Sequence, residues 1–434
     1  MIKAVNQFQL IQLIQLIITN IPTVLEKLPP TREQNSYGAR SRRVEKLKKP
    51  SLAKFVKRSP QPKRTQLKYG NLLKLAIILL LLNWLISLPF QARRRNPPEI
   101  KVSPSATVKK KAPPAPPPPM PTDGFYYNVS TLPPWKADAN LQTIVDEAVA
   151  LAKTQGFPIE DLSISLVDVK NPDQHLHAGY QNQILRFPAS VAKLYWLVTF
   201  YGAVAKGMIT NESKFDEQLR QMMAISSNDA ASRVLDAVTG TKSGKMLAGK
   251  ALEEWLTKRQ TVNLFYRRAG YTDVHVSTKN YPIYYLRQEG PVGRDRQMRD
   301  PVTKKFISNK VTTDQTARLM YEIYTRRSIS RQASTRMAYL LTRDLNPQVW
   351  KKDPTNGVGG FLGESLPTNI YFGSKVGYTS KSRQEVAFIR TLDDKAIYVL
   401  TVFGTDRAYA NSEKIFPALS RLIYDRMVAR GNTP

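Results

Sequence analysis

The sequence contains no cysteine and only three histidines, His175, His177 and His275. The first absence excludes disulfide staples, thiolate nucleophiles and Cys-based zinc sites. The second leaves little room for histidine chemistry: His175 and His177 share one strand face at spacing two, but no acidic or Cys/His partner motif lies nearby to complete a metal site. Acidic residues are scarce too, 34 against 65 Lys+Arg, for a formal charge of +31. Residues 1–121 hold 23 Lys+Arg and 4 Asp+Glu, whereas the rest holds 42 and 30. Most of the excess therefore lies outside the part that reads as globular. It clusters beside an apolar run rather than interleaving with aromatics on a fold, which argues against a nucleic-acid partner.

That run, "NLLKLAIILLLLNWLISLPF" (71–90), has Lys74 near one end and only Asn83 inside. As a helix, Leu72 to Phe90 rises about 28 Å, close to the hydrocarbon thickness of a bilayer. Seventy residues precede it and no small-x-small site follows before Arg93, so an uncleaved signal anchor over 71–91 fits better than a cleaved signal peptide. Residues 31–70 carry 13 Lys+Arg against 7 in residues 91–121, which favours a cytoplasmic N-terminus. Residues 1–70 read as a basic, largely disordered cytoplasmic region. Residues 92–123 are Pro-rich, and proline lacks the N–H and fixes φ, so they form an extended spacer rather than a helix or central strand.

From residue 124 to 434 the composition becomes globular. Apolar residues at Leu141, Ile144, Val145, Ala148 and Leu151 predict a helix over 140–156 that stops at Gly156. Residues 161–169 alternate as a strand, and 175–187 supply an antiparallel partner. A helical middle follows, including a helix opened by Thr312 or Thr313 as cap and another over 329–345. Three strand-like runs (369–379, 385–392, 396–404) and a closing helix over 413–428 complete the pattern. The order predicts an α+β domain whose sheet joins both ends of the chain, with the helical segment packed beside it.

"RFPASVAK" (186–193) spaces Ser190 and Lys193 one helical turn apart, at the start of an apolar run behind Pro188. Exposed N–H groups at a helix start can stabilise an oxyanion, and a lysine whose pKa burial lowers can take a serine proton. S-x-x-K alone is weak, since "SLAK" (51–54) repeats it in the basic tail. Two further segments distinguish the copies: Ser226-Ser227-Asn228 in a small-residue turn, and Lys375-Val376-Gly377 on a predicted strand. The ordered trio S-x-x-K, S-x-N, K-x-G resembles the penicillin-recognising serine enzymes. "RFPASVAK", "ISSNDAA" and "TTDQTARLM" together are most similar to class A β-lactamases, over about residues 140–430.

The resemblance implies a β-lactamase/transpeptidase-like α+β fold: an antiparallel five-stranded sheet with flanking helices and an all-helical subdomain, here preceded by a single membrane-spanning helix. It implies no cofactor and no metal. Ser190 would be acylated by a β-lactam or acyl-D-Ala carbonyl, with Lys193 as proton acceptor and Ser226 as the relay to the leaving nitrogen. Asn228 would hold the substrate's amide and Lys375 its carboxylate. Backbone N–H groups of Ser190 and of Tyr378, just past Gly377, would form the oxyanion hole. Val376 stands where the family has Thr or Ser, which leaves Thr379 or Ser380 to supply the missing hydroxyl. No E-x-x-L-N glutamate lies between the second and third motifs; Glu253, Glu254 and Glu289 all lack its context, and a basic, Tyr-rich insertion (271–306) occupies the interval. The expectation is a membrane-anchored serine hydrolase acting outside the cytoplasmic membrane. Its alternatives are a slowly deacylating D-alanyl-D-alanine carboxypeptidase or penicillin-binding protein, and a non-catalytic cell-wall-binding module.

Overall fold

The computed structural model describes residues 127–431, except 130–132, 134, 172–173, 273 and 354. The expected basic region (1–70), membrane helix (71–91) and linker (92–123) lie outside the described residues. Among the described residues no helix is long and apolar enough to cross a membrane.

The chain opens with β1 (Lys136–Ala137), α1 (Ala139–Thr154), β2 (Leu162–Asp168) and β3 (Leu176–Tyr180). A helical stretch follows: α2 (Ala192–Ala205), α3 (Asp216–Ala224), α4 (Asn228–Thr239), α5 (Gly249–Arg268), α6 (Thr313–Tyr324) and α7 (Arg331–Leu341). Then come β4 (Tyr371–Thr379), β5 (Ser382–Arg390), β6 (Ile397–Gly404) and the closing helix α8 (Ile415–Gly431). The sheet order is β1-β3-β2-β6-β5-β4. Strands from both ends of the chain meet at β2 and β6, in register from Leu162 opposite Gly404 to Asp168 opposite Tyr398.

One expectation needs correction. The five strands β3, β2, β6, β5 and β4 are antiparallel, but the sheet has six strands and is mixed, because β1 pairs parallel with β3. The cause is local. The chain at Lys136–Asp138 runs along the open β3 edge, where Lys136 N donates to His175 O and Asp138 N to His177 O, covering an edge that otherwise presents unpaired backbone groups. Trp135 stacks on His177, and His177 Nε2 lies 2.7 Å from Asp314, so this histidine works in packing. Strand β3 also ends at Tyr180 rather than continuing to 187.

Each sheet face carries a core. Alternation sends Val167, Val386, Phe388, Val399 and Phe403 toward the helical subdomain, and Ile164, Leu166, Ala387, Leu400 and Val402 toward α1 and α8. Helix α1 starts at Asp138, whose carboxylate accepts from Leu141 N, and presents Leu141, Ile144, Val145 and Ala148 to the second core. Helix α2 is buried on every side from Ala192 to Ala203, which is why its apolar run has no polar stripe. Helix α6 is capped by Thr312, as the sequence suggested. Pro417 lies in the first turn of α8, where its missing N–H costs no helical bond.

Candidate active site

Ser190 sits one step outside a regular helix. Ala189–Val191 form a single 3₁₀ turn that feeds α2, so the lysine three residues on, Lys193, lies in the first turn of α2. Lys193 Nζ is 2.7 Å from Ser190 Oγ, 2.6 Å from Ser226 O, 2.6 Å from Asn228 Oδ1 and 3.2 Å from Ser226 Oγ. The two carbonyl-type oxygens can only accept. A neutral amine spends its two N–H groups on them, and its lone pair then faces the Ser190 hydroxyl, the geometry a base requires.

The second motif connects α3 to α4. Ser227 caps α4 by accepting from Ala230 N, which leaves Ser226 and Asn228 to face the lysine. Ser226 holds φ +58° and Ala189 φ +45°, both in the left-handed region. Such a conformation costs a non-glycine residue roughly 1–2 kcal/mol, strain that the surrounding packing must hold in place.

The third motif lies on β4. Lys375 is fully buried, and its Nζ donates to Ser226 Oγ at 2.9 Å and to Val376 O at 2.7 Å. Lys375, Gly377 and Thr379 share one strand face. Gly377 is where β4 presses on the Ser190 turn: a Cβ there would lie 2.6 Å from Pro188 O and 2.9 Å from Ser190 N. Tyr378 follows, half exposed. Thr379 Oγ1 shares a 2.8 Å hydrogen bond with Ser382 Oγ across the hairpin, while Ser380 is exposed in the turn. Val376 points to the other face, into the second core beside Gly357.

Burial pushes the Lys193 amine down to about 7. Burial, reinforced by the Lys193 and Arg343 charges, holds Lys375 well below the usual lysine range. Two lysines thus touch one hydroxyl, Ser226 Oγ, and among the described residues no carboxylate is in hydrogen-bond contact with either. Burial therefore disfavours the charged form of both amines.

All eight sequence-predicted site residues lie at this junction: Ser190, Lys193, Ser226 and Asn228 on the helical side, Lys375, Gly377, Tyr378 and Thr379 on the sheet side. Sequence reasoning missed three others. Arg343, buried with its pKa lowered to about 10 by that burial, donates to Met223 O, Ala224 O and Ser374 O, tying the Ser226 turn to β4. Glu385, opposite Val376 on β5, accepts from Leu362 N and is pushed up to about 7 by burial. Asn280 of the insertion donates from Nδ2 to Ala189 O at 3.1 Å. None sits in a motif; only an alternation count on β5 would have flagged a carboxylate at a core position.

Residues 144–427 match the profile described as the β-lactamase enzyme family. The chain belongs to this family. Among solved structures, the β-lactamase family member from Sphaerobacter thermophilus DSM 20745 is 18% identical, with 66% of this chain and 96% of that one covered and a TM-score of 0.45. A class A β-lactamase representative from Bacteroides cellulosilyticus DSM 14838 is 15% identical over 67% of this chain and 99% of that one, TM-score 0.45. PBP-A is 16% identical over 68% and 98%, TM-score 0.43. No curated protein matches the sequence. The β-lactamase-like family carries serine hydrolases, and the chain shares its α+β architecture.

Proposed function

We propose that the protein is a membrane-anchored acyl-serine hydrolase whose Ser190 attacks the carbonyl of a β-lactam or of an acyl-D-Ala amide. The observation that carries this reading is the desolvated Lys193 amine, 2.7 Å from Ser190 Oγ with both N–H groups engaged elsewhere. In the acylation step Ser190 Oγ bonds to the carbonyl carbon as its proton passes to Lys193. The oxyanion forms against the N–H groups of Ser190 and Tyr378. The C–N bond then breaks, and the leaving nitrogen takes a proton through Ser226, whose hydroxyl contacts both lysines. Lys375, aided by Thr379, draws the substrate carboxylate, and Asn228 takes its amide. Residues 71–91 anchor the chain, with residues 124–434 on the extracytoplasmic side where such substrates lie.

A second reading, slow deacylation of the kind a D-alanyl-D-alanine carboxypeptidase or penicillin-binding protein has, draws on one observation. The insertion residue that reaches the nucleophile turn is a carboxamide, Asn280, and cannot deprotonate water. Incubation with fluorescent penicillin, beside Ser190→Ala and Lys193→Ala, tests the acylation reading. A covalent label on the wild type alone is expected, and no wild-type label would sink β-lactam acylation. A β-lactam pulse followed by mass spectrometry over time separates turnover from trapping.

A further inference from the structure

We infer that Asn280 is a positioning residue that aims the Ser190 N–H at the oxyanion. The inference rests on the acyl-serine reading above. The Ala189–Ser190 peptide carries the proposed donor at one end and the Ala189 carbonyl at the other. A trans peptide is planar and its N–H and C=O point in opposite directions, so fixing the carbonyl fixes the N–H. The Ala189 carbonyl accepts from Ala192 N inside the 3₁₀ turn and from Asn280 Nδ2 at 3.1 Å. The second bond is the one that comes from outside the turn. It matters because Ala189 holds φ +45°, a conformation with little intrinsic preference, so the turn depends on contacts from outside to hold it.

The opposite end of the peptide faces β4. Ser190 N lies 2.9 Å from where a Gly377 Cβ would stand, so the strand and the insertion grip the peptide from two sides. A donor on the carbonyl also polarises the peptide and strengthens its N–H as a donor.

Asn280 is itself held firmly. Its neighbour Lys279 donates to Asp236 Oδ2 at 2.6 Å and Ser243 Oγ at 2.8 Å. Asn309 Nδ2 donates to Thr278 O at 2.7 Å and, at 3.4 Å, to Asn280 Oδ1. Upstream, Trp196 of α2 donates from its indole to Val276 O at 2.6 Å. The insertion therefore runs from α2 to the Ser190 turn that precedes it, anchored at both ends of its contact. Its function in the site is to fix a backbone dipole, which explains how a segment lacking any catalytic motif occupies the cleft wall.

The test measures β-lactam acylation by the full-length chain in wild type, Asn280→Ala and Asn280→Asp. The aspartate keeps the shape and removes the donor, so packing is held constant. Loss of an aligned oxyanion donor costs about 10²-fold or more in rate, and misalignment is expected to cost at least tenfold. The expected result is a tenfold or greater fall in the acylation rate constant, with the dissociation constant of the initial non-covalent complex unchanged. The infrared carbonyl band of the acyl-enzyme ester should move to higher wavenumber in both variants. Labelling at the wild-type rate with an unmoved band in Asn280→Asp overturns the inference alone. Absence of label on the wild type overturns the acyl-serine reading itself, and the inference with it.

Discussion

The ionisation of Lys193 should set the pH dependence of acylation, and the structure supplies the magnitude. An amine with the ordinary lysine value of 10.5 is neutral in only about three molecules in ten thousand at pH 7. Burial brings Lys193 to about 7, so about half the molecules hold a neutral amine, a gain of roughly 10³ in available base. The base works deprotonated, so acidification removes activity. The second-order rate of labelling by a fluorescent penicillin should fall about fiftyfold from pH 7 to pH 5, then tenfold per further unit, and level off above about pH 8. Lys193→Met should abolish the dependence along with nearly all the rate. A flat profile from pH 5 to 9, or one inflecting near the ordinary lysine value, would refute Lys193 as the base.

Two further outcomes follow from single side chains. Glu385 has its carboxyl pushed from 4.5 to about 7 by burial, so the unfolded chain loses its proton first as pH rises. The stability it contributes is full below about pH 4.5 and drops by about 3 kcal/mol by pH 7, so urea melts of Glu385→Gln should gain on wild type across that window and not below it. Gly377→Ala would drive a methyl to within 2.6 Å of Pro188 O and 2.9 Å of Ser190 N, backbone that must shift. Displacement near 1 Å costs about 10²-fold, so labelling should fall by that order while the fold survives with a loss of about 1–3 kcal/mol in denaturant melts.

The fold was legible where periodicity was strong. The α1 helix read directly from its one buried face, the β4–β6 strands from apolar runs in a sheet covered on both faces, and Thr312 was one of the two cap candidates. The sixth strand was not legible: Lys136–Ala137 is two residues long, and its pairing is set by the β3 edge it meets rather than by its own side chains. In the candidate site, the three motifs named residues that the fold brings together, because the proposed chemistry needs fixed residue types at fixed spacing. Arg343, Asn280 and Glu385 act on backbone carbonyls, amides or the core from distant parts of the chain, and such contacts leave no local spacing to find. The apolar surroundings that lower the lysines were visible only in part, as the run after Ser190; the sheet side needed the fold.

The two buried lysines bear on whether the site is used or retired. A lysine whose folded pKa is depressed makes the native state a weaker proton binder than the unfolded chain, so stability rises with pH between the two values. For Lys193 those values are about 7 folded and 10.5 unfolded, and holding it in the fold below pH 7 costs about 5 kcal/mol. Lys193→Met removes that cost but leaves Ser226 O and Asn228 Oδ1 without their donor, a penalty of about 1–3 kcal/mol each that does not vary with pH. The difference between variant and wild type must therefore tilt with pH. The variant should gain most at pH 6 and lose about 1.4 kcal/mol per pH unit of that advantage between about 7 and 10, read as urea midpoints at pH 6 and 9.5. A difference that stays constant with pH would mean Lys193 is solvated and unsuited to be a base. A tilting difference identifies a charge held against its own solvation. A cell-wall-binding module gains nothing from such a group, whereas a serine nucleophile needs one.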